Sequence, residues 1–261
     1  MRKAILAVAA GLAGALPLRN EGARAFDIEN DVRVSSGLKG WASTWDSWRP
    51  ETVFFDNGPI RVAQTVRSGT RFALTPNVSV VAQQKFLLSA SYLAPESYPL
   101  TGALDTNSLV GSRREFDANA GYYVFPGVAV TLGYKQIQQA YGQGTYKWTG
   151  PTAGLAGSAE ISGNWSLYGS LAYGPLKLRL PAGAADALGN TSFQSTYAVG
   201  EFGLAYTLPV RSFLKAARLT IGYRAQTLST RDYFLNHGGP LGDPEERDYT
   251  QGATVGLSAS F

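Results

Sequence analysis

The chain has 261 residues, of which 16% are charged and 12% aromatic, with 30 glycines, no cysteine and a formal net charge of +4. That length allows one large β domain or two small ones, and the missing cysteines exclude disulfides and thiolate metal sites. Most of the excess charge sits in residues 1–25: their loss removes Arg2, Lys3, Arg19, Arg24 and Glu21 and leaves 19 basic against 18 acidic residues, with no nucleic-acid footprint.

Met1-Arg2-Lys3 is a short basic start, and Ala4 to Leu16 is an apolar run of Ala, Leu, Ile, Val and Gly. Ala23-Arg24-Ala25 offers a small-x-small cleavage site, so residues 1–25 read as an export signal, with cleavage after Ala15 as the alternative. The run is too short to span a membrane as a helix, and no apolar run of about twenty residues occurs elsewhere.

From residue 26 onward the sequence reads as hairpins. Val32, Val34 and Leu38 alternate with Arg33, Ser35, Gly37 and Lys39 in a first strand reaching about Trp45. The phase blurs at Gly40-Trp41, which reads as a bulge, and Trp48 to Asn57 reads as a loop. A second strand spans about Ile60 to Leu74, with Val66 and Phe72 on one face and Arg61, Arg67 and Arg71 on the other. Pro76-Asn77 has the composition of a tight turn.

Val78 to Tyr92 forms the third strand, with Lys85 on its polar face, and Ala94 to Gly111 is a long loop. Arg114 to Val124 carries Phe116, Ala118, Ala120 and Tyr122 opposite Glu115, Asp117 and Asn119. Pro126-Gly127 turns into Val128 to Tyr134, and Lys135 continues that strand's polar face. Gln136 to Thr145 is polar and reads as loop. Trp148 to Ile161 follows, with Glu160 on the polar face, then the turn Gly163-Asn164 and a strand from Trp165 to Tyr173 that extends toward Leu180.

After a Gly/Ala-rich loop, Gln194 to Leu208 sets Phe202, Leu204 and Tyr206 against Glu201, Gly203 and Ala205. Leu219 to Leu228 sets Ile221 and Tyr223 against Gly222, Arg224 and Gln226. The last fourteen residues alternate strictly: Tyr249, Ala253, Val255, Leu257, Ala259 and Phe261 on one face, Thr250, Gly252, Thr254, Gly256, Ser258 and Ser260 on the other. Such length suits a tilted strand crossing a bilayer, which needs roughly nine to eleven residues.

These are about ten strands, with four short turns and both termini at one end and five mostly longer loops at the other. One face of each is rich in Gly, Ser, Thr and charge, which would pack poorly as the core of a soluble sandwich or lipocalin-like barrel. The pattern predicts an all-β fold, a transmembrane antiparallel up-and-down β-barrel over residues 26–261. The terminal strand ending on Phe261 resembles that of Gram-negative outer-membrane barrels. The chain resembles small OmpA/OmpX-like barrels more than large trimeric porins. The resemblance implies that Phe261, Leu257 and Tyr249 form an assembly signal read by the barrel-assembly machinery, that periplasmic chaperones escort the chain, and that it contacts outer-membrane lipid and lipopolysaccharide. Trp41, Trp45 and Trp148 near the loops, and Trp165, Tyr122 and Tyr206 near the turns, are the expected aromatic girdle.

Chemistry is sparse. His237 is the one histidine. Omptin proteases pair an Asp-x-His dyad with facing aspartates, but Leu235 stands two before His237. Outer-membrane phospholipases and lipid A deacylases use His-x-Ser, but Gly239 stands two after it. Asp232, Asn236, Asp243, Glu245 and Glu246 lack EF-hand spacing. No cofactor, metal or catalytic residue is therefore assigned. Arg67, Arg71, Lys85, Glu115, Asp117, Lys135, Glu160, Glu201 and Arg224 are the expected lumen charges. Their mixed signs predict internal pairing, with Lys85, Asp117 and Lys135 meeting at one depth. The expected function is a non-enzymatic envelope protein whose long loops contact an outside partner. A narrow channel and a lipid- or peptide-modifying enzyme are the alternatives.

Overall fold

A computed structural model describes residues 32–55, 58–102, 109–141, 144–185, 189–210, 216–230 and 246–261. The proposed export signal and His237 lie outside them. Eleven strands follow one another: β1 (Val32–Phe55), β2 (Gly58–Ser68), β3 (Arg71–Ala82), β4 (Phe86–Gly102), β5 (Leu109–Phe125), β6 (Val128–Tyr141), β7 (Gly144–Ser162), β8 (Trp165–Arg179), β9 (Ser192–Leu208), β10 (Ala216–Thr230) and β11 (Glu246–Ser260). Each pairs antiparallel with its neighbours, and β11 pairs with β1 to close the sheet. β2 and β3 share one place in the wall, both against β1, so the closed barrel has ten positions. Closure pairs the strands around the ring, as a lipid environment demands of backbone polar groups, except that residues 69–76 and 92–99 carry no ladder between them.

The break between β2 and β3 is a bulge. Asp46 stands opposite Arg67 and Ser43 opposite Arg71, so Thr44 and Trp45 face three residues, Ser68, Gly69 and Thr70. The Ser68 hydroxyl accepts the Trp45 backbone N–H at 2.8 Å. An extra residue inverts the faces beyond it: Val66 is buried in the lumen and Arg67 points outward, 3.8 Å from Asp46. No bulge occurs at Gly40-Trp41, where the pairing of β1 runs unbroken. Pro76-Asn77 is not a turn but the middle of β3. The first tight turn is Gln83–Lys85, made by two non-glycine residues at φ 51° and 54°. Lys85 therefore sits exposed in that turn and not in the lumen. Gln136 to Tyr141 is strand, not loop.

The wall has two zones. Toward the turns, outward positions are apolar and exposed, with Leu132 at 67% and Phe202 at 62%, while inward positions are Ser, Gly, Thr and Ala. This is the alternation of a barrel in lipid. Aromatic pairs mark its lower edge, Phe86 with Tyr122 at 5.5 Å and Trp165 with Tyr206 at 4.9 Å. Outward Tyr92, Phe116, Tyr134, Tyr173 and Tyr223 mark the upper edge. Loopward of that belt the pattern reverses. Arg114, Lys177, Arg179 and Gln194 face outward, while Trp148, Leu176, Leu178 and Phe193 are buried inside. That section has the inside-out polarity of a soluble barrel standing above the bilayer. Trp41, Trp45 and Trp148 belong to its interior and the layer just below, so they are not girdle residues.

Candidate functional site: a bridged lumen

Two stacked layers fill the loopward half of the lumen. The lower layer is ionic. Glu115 and Asp117 on β5 alternate with outward Phe116, and Lys135 on β6 lies directly opposite Asp117. Lys135 Nζ donates to Glu115 Oε2 at 2.6 Å and to Asp117 Oδ2 at 2.7 Å. Glu115 also accepts from Arg113 Nε at 2.7 Å and from Gln226 Nε2 at 2.5 Å. Arg224 lies 3.8 Å from Glu115 and 3.6 Å from Glu201. Lys39 on β1 completes the chain by donating to Glu201 at 2.7 Å.

β5 and β10 stand five places apart in a ten-position ring, so they face each other. The Gln226–Glu115 hydrogen bond and the Arg224–Glu115 pair therefore cross the lumen. Gln139 on β6 and Asp248 on β11 are likewise opposed, and bond at 2.9 Å. Burial without partners would cost several kcal/mol per ion. Each of these carboxylates accepts at least two hydrogen bonds or ion pairs, except Asp117, which remains partly open.

Above lies an apolar layer. Ile137, Trp148, Leu176, Leu178, Phe193, Tyr197 and Leu228 form one cluster, and Trp45, Val66, Tyr98 and Leu100 another. Tyr146 packs against both and joins them across the interior. The polar ends of the rings are satisfied locally: Trp45 Nε1 donates to Asp248 at 3.0 Å, Trp148 Nε1 to Thr230 at 3.3 Å, and Tyr98 pairs with Ser43 at 3.0 Å. Cations stack on the aromatics where the layers meet, with Arg113 over Trp45 at 5.6 Å, Lys135 over Tyr197 at 5.2 Å and Arg224 over Trp41 at 5.2 Å.

Of the nine sequence-predicted lumen charges, Glu115, Asp117, Lys135, Glu201 and Arg224 meet in this network. Arg67 faces outward, Lys85 lies in a turn, Arg71 is exposed where β3 begins, and Glu160 is exposed beside the Gly163-Asn164 turn. Sequence reasoning omitted Lys39, Arg113, Gln139, Gln226 and Asp248 from the cluster. Lys39, Gln226 and Asp248 share the parity of the polar faces already read, so parity alone would have added them. Gln139 fell in a stretch read as loop, and Arg113 just before a strand's predicted start. Among the girdle and terminal residues, Trp165, Tyr122, Tyr249, Leu257 and Phe261 are exposed on the outer wall, and Tyr206 packs against Trp165 there. The Phe261 N–H donates to Val34 O at 2.9 Å. Among the described residues no group of His, Asp and Glu has the makings of a metal site.

No protein-family model and no curated protein matches the chain. Among solved structures it is similar to the outer membrane protease OmpT from Escherichia coli, at 12% identity over 91% of this chain and 98% of that one, with a TM-score of 0.50. It is also similar to outer membrane protein AlkL in lipid bilayers (11% identity, 93% and 96% covered, TM-score 0.42) and to a Pseudomonas aeruginosa FadL homologue (9%, 88% and 90%, 0.36). The likeness to OmpT is one of fold. Closure, strand polarity and that likeness make this chain an outer-membrane β-barrel.

Proposed function

We propose that this protein is a stoppered, non-enzymatic barrel of the bacterial outer membrane, whose raised loop end meets a partner outside the cell. The observation that carries the reading is the doubly bridged lumen. Side chains from opposed walls meet in the ionic layer at Glu115, with Gln226 at 2.5 Å, and an apolar layer closes the space above. A ten-position barrel lies near the size that side chains just fill, whereas about sixteen strands leave an aqueous channel. In this reading residues 1–25 are a cleaved export signal, and the outward row ending in Leu257 and Phe261 is read by the assembly machinery. Periplasmic chaperones escort the chain, and lipid and lipopolysaccharide surround the apolar band. The raised strand ends and the connections between them supply the contact surface. Planar-bilayer recording of the unmodified protein tests the reading. It expects no steady conductance; a large stable conductance would instead favour a channel.

A narrow solute path is the second reading. It is supported by the turnward half of the lumen, lined with small polar residues such as Ser79, Ser89, Asn119 and Thr131 below the ionic layer.

A further inference from the structure

A group of cations stands on the outer wall just loopward of the upper aromatic belt, on β5 to β8. Arg179 on β8 lies directly opposite Lys147 on β7. Lys177, two residues before Arg179 on the same face, lies opposite Thr149. The row of Lys147 continues through Gln138 to Arg114 on β5, and Gln138 accepts from Arg114 Nε at 2.7 Å. Side chains directly opposite on neighbouring strands have Cβ atoms about 5 Å apart, and like charges placed so destabilise the sheet. Nothing on this face offsets them. Among the described residues, the outward positions of these four strands above the belt hold no carboxylate. Elsewhere on the wall, outward Arg67 has Asp46 at 3.8 Å.

Their height matches the lipid headgroups. The row of Lys177 runs through Thr149 and Gln136 to Phe116, a belt residue. Headgroups form a layer roughly 5–8 Å thick above the hydrocarbon, and long Lys and Arg stems let their charged ends settle into it. Beneath the cations runs a trough. The outward residues Pro151 and Ala153 on β7 are small, and they lie between Tyr134 and Leu132 on β6 and Tyr173 on β8, all three exposed. β6 and β8 are two strand spacings apart, about 9.6 Å, which leaves the width of one acyl chain. Exposed Leu155 closes the trough below. From Thr149 to Leu155 the tilted strand covers about 20 Å, enough for the roughly 15 Å depth of one leaflet's hydrocarbon.

We propose that β7 and β8 hold one outer-leaflet lipid with a phosphomonoester headgroup. Lys147, Lys177 and Arg179 bind the phosphate, and one acyl chain lies in the trough over Pro151 and Ala153. A phosphomonoester brings a charge of about −1.5 to −2 and three acceptor oxygens. Arg179 can take two of them in a bidentate pair, and the lysines take the third. A phosphodiester brings less charge, and a zwitterionic headgroup carries its own cation. The site rests on the reading that the loopward end stands outside the bilayer, and it names one lipid among those around the apolar band. Steady conductance would overturn the stoppered lumen and leave this site standing, whereas loss of the headgroup preference would do the reverse.

Native mass spectrometry of the full chain, released from phosphatidylcholine nanodiscs doped equally with phosphatidic acid or phosphatidylglycerol, tests the site. One phosphatidic acid stays on the barrel, retained at least fivefold over phosphatidylglycerol, and added inorganic phosphate does not displace it. Lys147→Gln and Arg179→Gln each lower that preference at least threefold, and Arg67→Gln leaves it unchanged. Ala153→Phe fills the trough and lowers retention of phosphatidic acid by folded, heat-modifiable protein. No preference in the folded wild type, or an equal fall in Arg67→Gln, overturns the site in favour of general charge attraction. Displacement by inorganic phosphate overturns the lipid as its occupant, and full retention by Ala153→Phe overturns the trough. Urea unfolding in vesicles gives a second readout. Lys147→Gln relieves the repulsion from Arg179, so its midpoint lies above the wild type in pure phosphatidylcholine. With phosphatidic acid present it lies below the wild type. A shift of the same sign in both bilayers overturns the site.

Discussion

Asp117 and Lys135 stand directly opposite on β5 and β6, and the carboxylate accepts a hydrogen bond from Lys135 Nζ at 2.7 Å. The same ammonium group holds Glu115 at 2.6 Å, so one buried cation serves two carboxylates. Lys135→Met therefore leaves two carboxylates on one strand face with their shared partner gone. Breaking a buried pair in this way typically costs about 3–5 kcal/mol. Asp117→Asn costs less, because Lys135 keeps Glu115. Urea unfolding in vesicles ranks the two variants, and an equal loss would remove Lys135 from its central place.

Trp148 and Trp165 look alike in the sequence, each at the start of an alternating strand, yet they face opposite sides of the wall. Trp148 is 1% exposed inside the loopward lumen and Trp165 is 48% exposed on the outer wall. Trp148→Ala should cost about 3–5 kcal/mol as a buried large-to-small change, and Trp165→Ala clearly less. Single-tryptophan variants in bilayers of brominated lipid report the faces directly. Trp165 emission is quenched and Trp148 emission is not; quenching of Trp148 would return it to the girdle.

The lipid band gives a third test. Leu132 and Thr131 are neighbours on β6, the first exposed outward and the second turned inward. Leu132→Arg should destabilise by roughly 2–4 kcal/mol near mid-bilayer, with Thr131→Arg well below that. Matching penalties in a membrane-folding titration would mean that the faces of β6 are reversed.

The sequence carried the barrel, its ten positions and the faces of β5, β6, β9, β10 and β11, because alternation with period two survives wherever no residue is inserted. It lost the second and third strands for a specific reason. Pro76-Asn77 has turn composition, whereas Gln83 and Gln84 adopt positive φ without any glycine to announce it. The bulge at Ser68–Thr70 then inverted the faces, sending Arg67 outward and Val66 inward. The tryptophans were lost differently. Parity from Lys39 through Trp41, Ser43 and Trp45 is continuous, but a large aromatic on a polar face contradicts a pattern drawn for lipid alone. The polarity reversal above the belt resolves that contradiction, since outside the bilayer a barrel buries its apolar side chains inward.

The ionic layer also sets what happens when its balance is pushed further. Asp117→Lys takes one carboxylate out of the ionic layer and puts a cation in its place, around the same buried Glu115. The new ammonium faces Lys135 at hydrogen-bonding distance from where its carboxylate partner stood. Like charges that close repel by about 4 kcal/mol at the effective dielectric of a protein near its surface. The apolar layer above is untouched, so the barrel stays assembled while the Glu115 bridge to Gln226 and Arg224 loosens. Brief flickering openings in planar bilayers should follow, favouring anions because the remaining excess is positive. Asp117→Asn removes charge without adding a cation and should stay quiet. Silence from Asp117→Lys in folded, heat-modifiable protein would show that the apolar layer alone closes the lumen, and steady openings from Asp117→Asn would show that this one carboxylate holds the ionic layer shut.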